Sequence, residues 1–93
     1  MKVIQSRVFT QKIKKLHKQD KLALENQIRK IIENPSIGDE KKGDLKGVFV
    51  YKFKLGSTQY LLAYRYSDEV LELVMIGPHE NYYRGLKSYV KSY

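Results

Sequence analysis

The sequence predicts an α+β fold in which one short strand and two helices precede three antiparallel strands. Three observations support this prediction. Apolar residues recur at helical spacing between Phe9 and Ile32. From Val48 onward the pattern changes to alternation, which is typical of strands. The pairs Gly56-Ser57 and Ser67-Asp68 supply turn residues that divide the alternating region into three strands.

Length and composition predict one soluble domain with an acidic or nucleic-acid partner. A chain of 93 residues can bury one modest core, so we expect a single domain over residues 1–93. There is no cysteine to form a disulfide, and the apolar runs are far shorter than the roughly 20 residues of a membrane span. The start does not resemble a signal peptide, so we expect a cytoplasmic protein. A net charge of +8 attracts phosphate-bearing partners, although lysines can also serve only to keep a surface soluble.

The first third of the chain predicts a strand and a helical hairpin. Residues 1–5 suit a short strand, and an amphipathic helix is predicted from Thr10 to about Gln19. Asp20 is the predicted N-cap of a second helix, which Asn34-Pro35 ends. Its apolar stripe consists of Leu24, Ile28, Ile31 and Ile32. This basic hairpin could bind nucleic acid or a membrane surface, but a solvated face on a hairpin that packs on the core is favoured.

The second half predicts a meander of strands. Residues 35–47 hold three glycines among charges and predict a loop. Strands are predicted from Val48 to Leu55, from Gln59 to Tyr66 and from Val70 to Ile76, and the last is nearly continuously apolar, as a central strand should be. Gly77-Pro78 ends it. The polar, basic residues 79–93 predict a short helix or an ordered tail.

Lys52 and Lys54 are the first candidates for chemistry. They lie on one face of a predicted strand, roughly 7 Å apart. Two neighbouring ammonium groups suit a face that meets an anion, and they can stabilise the transition state of a phosphodiester cleavage. An ordinary exposed sheet face is the alternative explanation.

His79 is the second candidate. It follows the predicted Gly77-Pro78 corner, and histidine is the side chain whose ordinary pKa suits proton transfer near neutral pH. The alternative is an ordinary loop histidine. The two histidines are far apart and no carboxylate cluster accompanies either, so we expect no metal and no cofactor.

Aromatic residues suggest RNA stacking. The chain has eight tyrosines, and unpaired bases stack on such rings beside basic grooves. The strand tyrosines at 51, 60, 64 and 66 fit a packed core. The tail offers little predicted core, so its tyrosines, Tyr82, Tyr83, Tyr89 and Tyr93, are the stacking candidates.

The combination of short motifs resembles the RelE/ParE toxins of bacterial type II toxin-antitoxin systems. The motifs are Leu45-Lys46-Gly47, Tyr51-Lys52-Phe53-Lys54-Leu55, Tyr60-Leu61-Leu62-Ala63-Tyr64 and Gly77-Pro78-His79-Glu80-Asn81-Tyr82-Tyr83. The helical hairpin resembles the first half of these toxins. The resemblance implies two helices packed on a twisted, mainly antiparallel four-stranded sheet, in the order βααβββ with a short C-terminal helix or tail.

The resemblance also implies an activity and its residues. RelE-like toxins cleave mRNA in the ribosomal A site without a metal, and a cognate antitoxin neutralises them. The implied catalytic residues are Lys52, Lys54, His79, Tyr82 and Tyr83. We further expect RNA contacts from Lys46, Arg65, Arg84 and Lys87. Operator DNA would be bound only through the complex with the antitoxin, and no membrane is involved.

One position departs from the family pattern. RelE has an arginine directly after the tyrosine of the second meander strand, and this chain has Leu61 there. Arg65 or Arg84 could replace the charge, although neither matches the position. ParE-like toxins share the fold and inhibit DNA gyrase without cleaving RNA. The sequence therefore leaves three functions open: an mRNA endonuclease, a gyrase inhibitor, and a nonenzymatic module that binds an antitoxin or nucleic acid.

Overall fold

The computed structural model describes residues 1–80 and 82–91, and the side chain of residue 91 is not described. Asn81 and the predicted stacking candidate Tyr93 lie outside the described residues. The elements in order are β1 (Lys2–Gln5), α1 (Arg7–Ile13), α2 (Lys18–Glu33), β2 (Asp39–Glu40), β3 (Phe49–Leu55), β4 (Thr58–Ser67), β5 (Val70–Pro78) and α3 (Tyr82–Lys91). Short 3₁₀ turns at Pro35–Ile37 and Gly43–Leu45 flank β2. None of the described helices has the length and apolar character needed to cross a membrane.

The helical hairpin is confirmed, but both helices begin earlier than predicted, and the first ends at Ile13 instead of about Gln19. The first helix begins at Arg7 because the Ser6 side chain caps it, accepting a hydrogen bond from the backbone NH of Phe9 at 3.0 Å. His17 is the N-cap of α2 and makes no side-chain capping bond. The predicted N-cap Asp20 instead lies in the first turn of α2, where its carboxylate suits the positive end of the helix dipole.

The sheet has five strands in the order β1-β5-β4-β3-β2. It is mainly antiparallel, as predicted, and β1 runs parallel to β5. The predicted number of four strands was wrong because β2 is only two residues long and falls in the segment interpreted as a loop. Asp39 pairs with Val50 and Glu40 with Phe49, which places β2 on the outer edge of β3.

Both faces of the sheet are covered. On one face the helical hairpin buries a cluster that includes Phe9, Leu24, Ile31, Phe53 and Tyr64. On the opposite face a second cluster forms under α3, and the strands contribute Val50, Leu61, Ala63 and Val74 to it. We call these the hairpin face and the α3 face. The meander strands are therefore apolar on both sides, as central strands are.

The C-terminal segment is a helix, and the prediction that it offers little core is wrong. Tyr82 is 5 % exposed and Leu86 is fully buried, and both belong to the cluster on the α3 face. These two positions are four residues apart and therefore lie on one side of the helix. The helix closes the α3 face as a third layer.

Candidate active site at one end of the sheet

The strand register brings the candidate lysines and the candidate histidine to one end of the sheet. Lys54 of β3 pairs with Gln59 of β4, and the backbone NH of His79 donates to the carbonyl of Gln59 at 3.1 Å. One step inward, Lys52 pairs with Leu61, which pairs with Gly77. Adjacent strands lie roughly 4.8 Å apart, so these three strands present their ends within about 10 Å of one another.

Lys52 and Lys54 project from the α3 face. Val50 is buried under α3, whereas Phe53 and Leu55 are buried under the hairpin, so the alternation of the strand puts both lysines on the side of Val50. Both side chains are exposed. Within residues 1–80 and 82–91, no carboxylate forms a salt bridge with either lysine. The two ammonium groups are therefore available to an anion.

His79 occupies the turn between β5 and α3. Its NH is held by Gln59, and its carbonyl accepts a hydrogen bond from the backbone NH of Tyr82 at 3.3 Å, while the residue itself is exposed. The backbone is thus fixed at both ends and the imidazole faces solvent. Such a side chain can reach a bound substrate and exchange protons with it.

Tyr82 and Tyr83 occupy different environments. Tyr82 packs against Gly77 and donates its hydroxyl to the carbonyl of Met75 at 2.8 Å. Burial raises the pKa of the Tyr82 phenol far above its usual value, so this group stays protonated. Its predicted place on an exposed tail is therefore wrong, and the geometry gives its predicted catalytic role no support.

Tyr83 is half-buried and has the more accessible ring. The ring meets that of Tyr82 edge to face, with centroids 5.7 Å apart, and the Nζ atom of Lys41 lies 5.3 Å from its centroid. A cation over an aromatic ring is attracted to it electrostatically. The sequence interpretation missed Lys41, because its contact with Tyr83 depends on β2 and on α3 covering the sheet.

The four predicted RNA-contacting residues separate into two groups. Arg84 and Lys87 are exposed on α3, whereas Lys46 is exposed before the start of β3, next to Gly47, which borders the same pocket as Arg65. Arg65 lies four residues beyond Leu61 on β4, roughly 13 Å away along the strand. There its Nε atom lies 3.1 Å from a carboxylate oxygen of Glu72. Arg65 is therefore not brought to the lysine and histidine end, and it does not replace the charge that position 61 lacks.

Leu61 is fully buried, and in the sheet it lies between its register partners Lys52 and Gly77. Replacing a buried leucine with alanine typically costs about 2 to 5 kcal/mol, so we expect such a change at this position to destabilise the fold. The end of the sheet thus combines two lysines and one histidine over an apolar floor, while Tyr83 lies beside Lys41, whose backbone NH donates to the carbonyl of Val48 at the other end of β3. Within the described part of the chain, no three side chains of the metal-binding types cluster together. The arrangement can bind a phosphodiester and move protons.

Comparisons with known proteins agree with this architecture. The family model of the ParE-like toxins of type II bacterial toxin-antitoxin systems matches residues 3–87. Among solved structures, the E. coli toxin RelE in a free double arginine-to-alanine mutant form is 22 % identical, with a TM-score of 0.72. That match covers 98 % of this chain and 95 % of the RelE chain.

Two further RelE structures match over nearly their whole length. The intact E. coli RelBE toxin-antitoxin complex gives 23 % identity and a TM-score of 0.67, covering 85 % of this chain and 96 % of the other. The RelE mutant in complex with a peptide of the antitoxin RelB gives 22 % identity and a TM-score of 0.66, covering 90 % and 92 %. At this identity the structures show the shared fold. A search of curated proteins found no match.

Proposed function

Since the chain belongs to the ParE-like toxins of type II bacterial toxin-antitoxin systems, we propose that it is a ribosome-dependent endonuclease that cleaves mRNA without a metal. The observation that supports this activity most directly is the register. It gathers Lys52, Lys54 and His79 at one end of the sheet, in the order β3, β4, β5.

The proposed reaction is an internal transfer at the phosphodiester. The ribose 2′-oxygen loses its proton and attacks the adjacent phosphorus, the bond from phosphorus to the 5′-oxygen breaks, and that oxygen takes up a proton. The products are a 2′,3′-cyclic phosphate and a 5′-hydroxyl. His79 acts as the general acid or base, since an imidazole can exchange protons near neutral pH. Lys52 and Lys54 stabilise the negative charge that builds up on the phosphate oxygens.

The substrate fits the surface around these groups. Tyr83 is half-buried and is the proposed ring for base stacking, and Arg84 and Lys87 on α3 are exposed cations that can contact the phosphate backbone. Lys46 lies at the opposite end of β3 from Lys54 and can contact only a longer strand of RNA. Tyr82 supports this surface from below by fixing the start of α3 on Gly77.

A second candidate function is inhibition of DNA gyrase without nuclease activity, and Leu61 favours it. The RelE arginine at this position is replaced by a fully buried leucine, and Arg65 pairs with Glu72 at the other end of the strand. The site therefore has one cation fewer near the phosphate than RelE has. A nonenzymatic module that binds its partners without chemistry is the third possibility.

The proposed protein partner is a cognate antitoxin, as in the RelBE complex that this fold matches. An antitoxin with an acidic segment would suit a chain with a net charge of +8, because complementary charge speeds association and excludes wrong partners. Operator DNA would be reached only through that complex.

The experiment that separates these functions uses two assays on one preparation. The purified protein is added to ribosomes that translate a defined message and, separately, to gyrase with relaxed plasmid. We expect cuts within codons, fragments with cyclic phosphate and 5′-hydroxyl ends, and normal supercoiling. Intact messages with blocked supercoiling would show that the gyrase proposal is right. No effect in either assay would favour the nonenzymatic module.

A further inference from the structure

A cleft opens on the hairpin face, beside the same end of the sheet. It has a volume of about 180 Å³ and lies between the end of α1 and the ends of β4 and β5. Its lining residues are Lys12, Lys15, Leu16, Tyr60, Ile76, Gly77 and Pro78. Water occupies about 30 Å³ per molecule, so the cleft has the volume of about six water molecules. This volume suits a single planar ring and is too small for a helix of a partner protein.

The course of the chain explains why this cleft exists. β1 pairs with β5 only as far as Leu73, and the chain then turns into α1, with the NH of Ser6 donating to the carbonyl of Leu73. From there α1 packs along the second half of β5. Its last turn therefore reaches Pro78, and the lysines near that turn border the end of the strand.

The walls of the cleft combine apolar surface with positive charge. Tyr60 is half-buried, with its ring centroid 6.3 Å from that of Phe53, and Leu16 and Pro78 add apolar surface. Lys12 and Lys15 are exposed, and no carboxylate in the described part of the chain forms a salt bridge with either. An aromatic ring beside unpaired cations is the combination that binds single-stranded nucleic acid.

This cleft adjoins the candidate active site. Tyr60 pairs with Pro78, and the preceding residue, Gln59, holds the NH of His79. Lys12 also borders a neighbouring cleft of about 250 Å³ that reaches Glu80 and Tyr82 on the α3 face. A strand of RNA that crosses the end of the sheet at His79 would therefore meet Lys12 and the cleft next.

We propose that the cleft binds one nucleotide of the single-stranded RNA substrate, adjacent to the scissile phosphate. The base lies against Tyr60 and Pro78, and Lys12 and Lys15 hold the neighbouring phosphates. This subsite rests on the proposed action on RNA. It gives the protein a second point of contact across the end of the sheet from Lys52 and Lys54.

The test compares two double variants that remove the same charge. K12Q/K15Q removes the two lysines of the cleft, and K14Q/K18Q removes two exposed lysines of the same hairpin that do not line it. Binding of fluorescent oligouridine to each protein is measured over a range of salt concentrations. Each phosphate contact contributes about 0.7 to the salt slope for single strands, so K12Q/K15Q should lower the slope by about 1.4. The K14Q/K18Q protein should keep the wild-type slope.

A second pair of variants tests the ring. Tyr60→Leu should weaken oligouridine binding by roughly 5- to 150-fold, since base stacking on one aromatic ring has this value by substitution, and Tyr60→Phe should bind like the wild type. Circular dichroism checks that each variant is folded. If Tyr60→Leu does not fold, the salt slopes of K12Q/K15Q and K14Q/K18Q still test whether the cleft binds RNA.

Several outcomes would overturn the subsite. Equal loss in the two lysine variants would show a general charge effect. A wild-type protein without measurable oligouridine binding would show that the cleft is not an RNA subsite. A larger loss for oligoglutamate than for oligouridine would assign the cleft to an acidic protein.

Cleavage of translated mRNA is followed in parallel. If the wild type cleaves and K12Q/K15Q behaves like its control, only the subsite fails. If the wild type does not cleave but K12Q/K15Q alone loses oligouridine binding, the nuclease proposal fails and the subsite stands.

Discussion

The two ends of the α3 face carry positive side chains in opposite circumstances. At one end Lys54 stands opposite the neutral Gln59 and Lys52 opposite Leu61. At the other end Arg65 stands opposite Glu72 and forms a salt bridge with it. The lysines belong to the pairing of β3 with β4 and Arg65 to the pairing of β4 with β5, and in each case the register decides which residue lies beside the cation.

Positive charge alone therefore does not identify the candidate active site. The opposite charges of Arg65 and Glu72 largely neutralise each other. A partly exposed pair of this kind contributes about 1 kcal/mol or less to the free energy of unfolding. Lys52 and Lys54 repel each other and no carboxylate in the described chain offsets them. Such an arrangement is favourable when an anion binds there.

The largest expected effect concerns proton transfer at the lysine end. A general acid or base contributes about 10² to 10⁴ in rate, so His79→Ala should lower cleavage of ribosome-bound mRNA by this factor. Antitoxin binding and folding should be nearly unchanged because the side chain is exposed. His17→Ala is the matched control, since that histidine is exposed and makes no capping bond. Full activity of His79→Ala would leave the lysines as an electrostatic clamp without an acid-base partner.

The next effect concerns the lysines themselves. Lys52→Ala/Lys54→Ala should lower cleavage by about 10² to 10³, the typical cost of removing electrostatic stabilisation of a transition state. It should also weaken ribosome association, and this binding loss should shrink at high salt because phosphate contacts act through counterion release. Lys21→Ala/Lys30→Ala on α2 provides a control with the same change of charge. If association and cleavage fall equally in both variants, the position of the charge at the sheet end has no importance.

The smallest effect is expected at the opposite end. Arg65→Met should leave cleavage within about twofold of the wild type and lower the free energy of unfolding by about 1 kcal/mol or less, because solvent screens this pair. Urea denaturation and the same cleavage assay measure the two quantities. A loss of cleavage comparable to that of the lysine variant would mean that Arg65 takes part in the reaction and that the two ends are not independent.

The meander could be predicted because its signals are local. Gly56 and Asp68 adopt positive φ values of 63° and 51° in the two turns, and these residues were visible as turn formers in the sequence. Once tight turns fix the register of three strands, Lys52, Lys54 and His79 meet at one end without further information. This part of the candidate site therefore followed from the sequence.

The edge strand β2 could not be predicted, because distant contacts place it. The backbone NH of Gly38 donates to the hydroxyl of Tyr64, which itself donates to the carbonyl of Pro35 at 2.6 Å. These two hydrogen bonds hold the segment from Pro35 to Gly38 against the sheet. The charged pair Asp39-Glu40 has no sequence pattern that predicts a strand. The contact of Lys41 with Tyr83 depends on the same placement and was missed with it.

The helix α3 had a signal that the sequence interpretation overlooked. Val48 and Val50 alternate with Phe49, Tyr51 and Phe53, so β3 is apolar on both faces. A sheet of this kind must be covered on both sides. The N-terminal hairpin can cover one face, and the C-terminal segment was the remaining part of the chain available for the other. That requirement predicts the burial of Tyr82 and Leu86.

The parallel pairing of β1 with β5 has a consequence for the synthesis of the protein. Lys2 pairs with Val70, and the Ser6 hydroxyl donates to the carbonyl of Val74, a contact 68 residues apart in the chain. Contacts of such separation form late in folding because the intervening chain must first be ordered. A nascent chain emerges with its N-terminus first. The sheet, and with it the end that gathers Lys52, Lys54 and His79, can therefore be completed only after the last residues of β5 have left the ribosome that makes the chain.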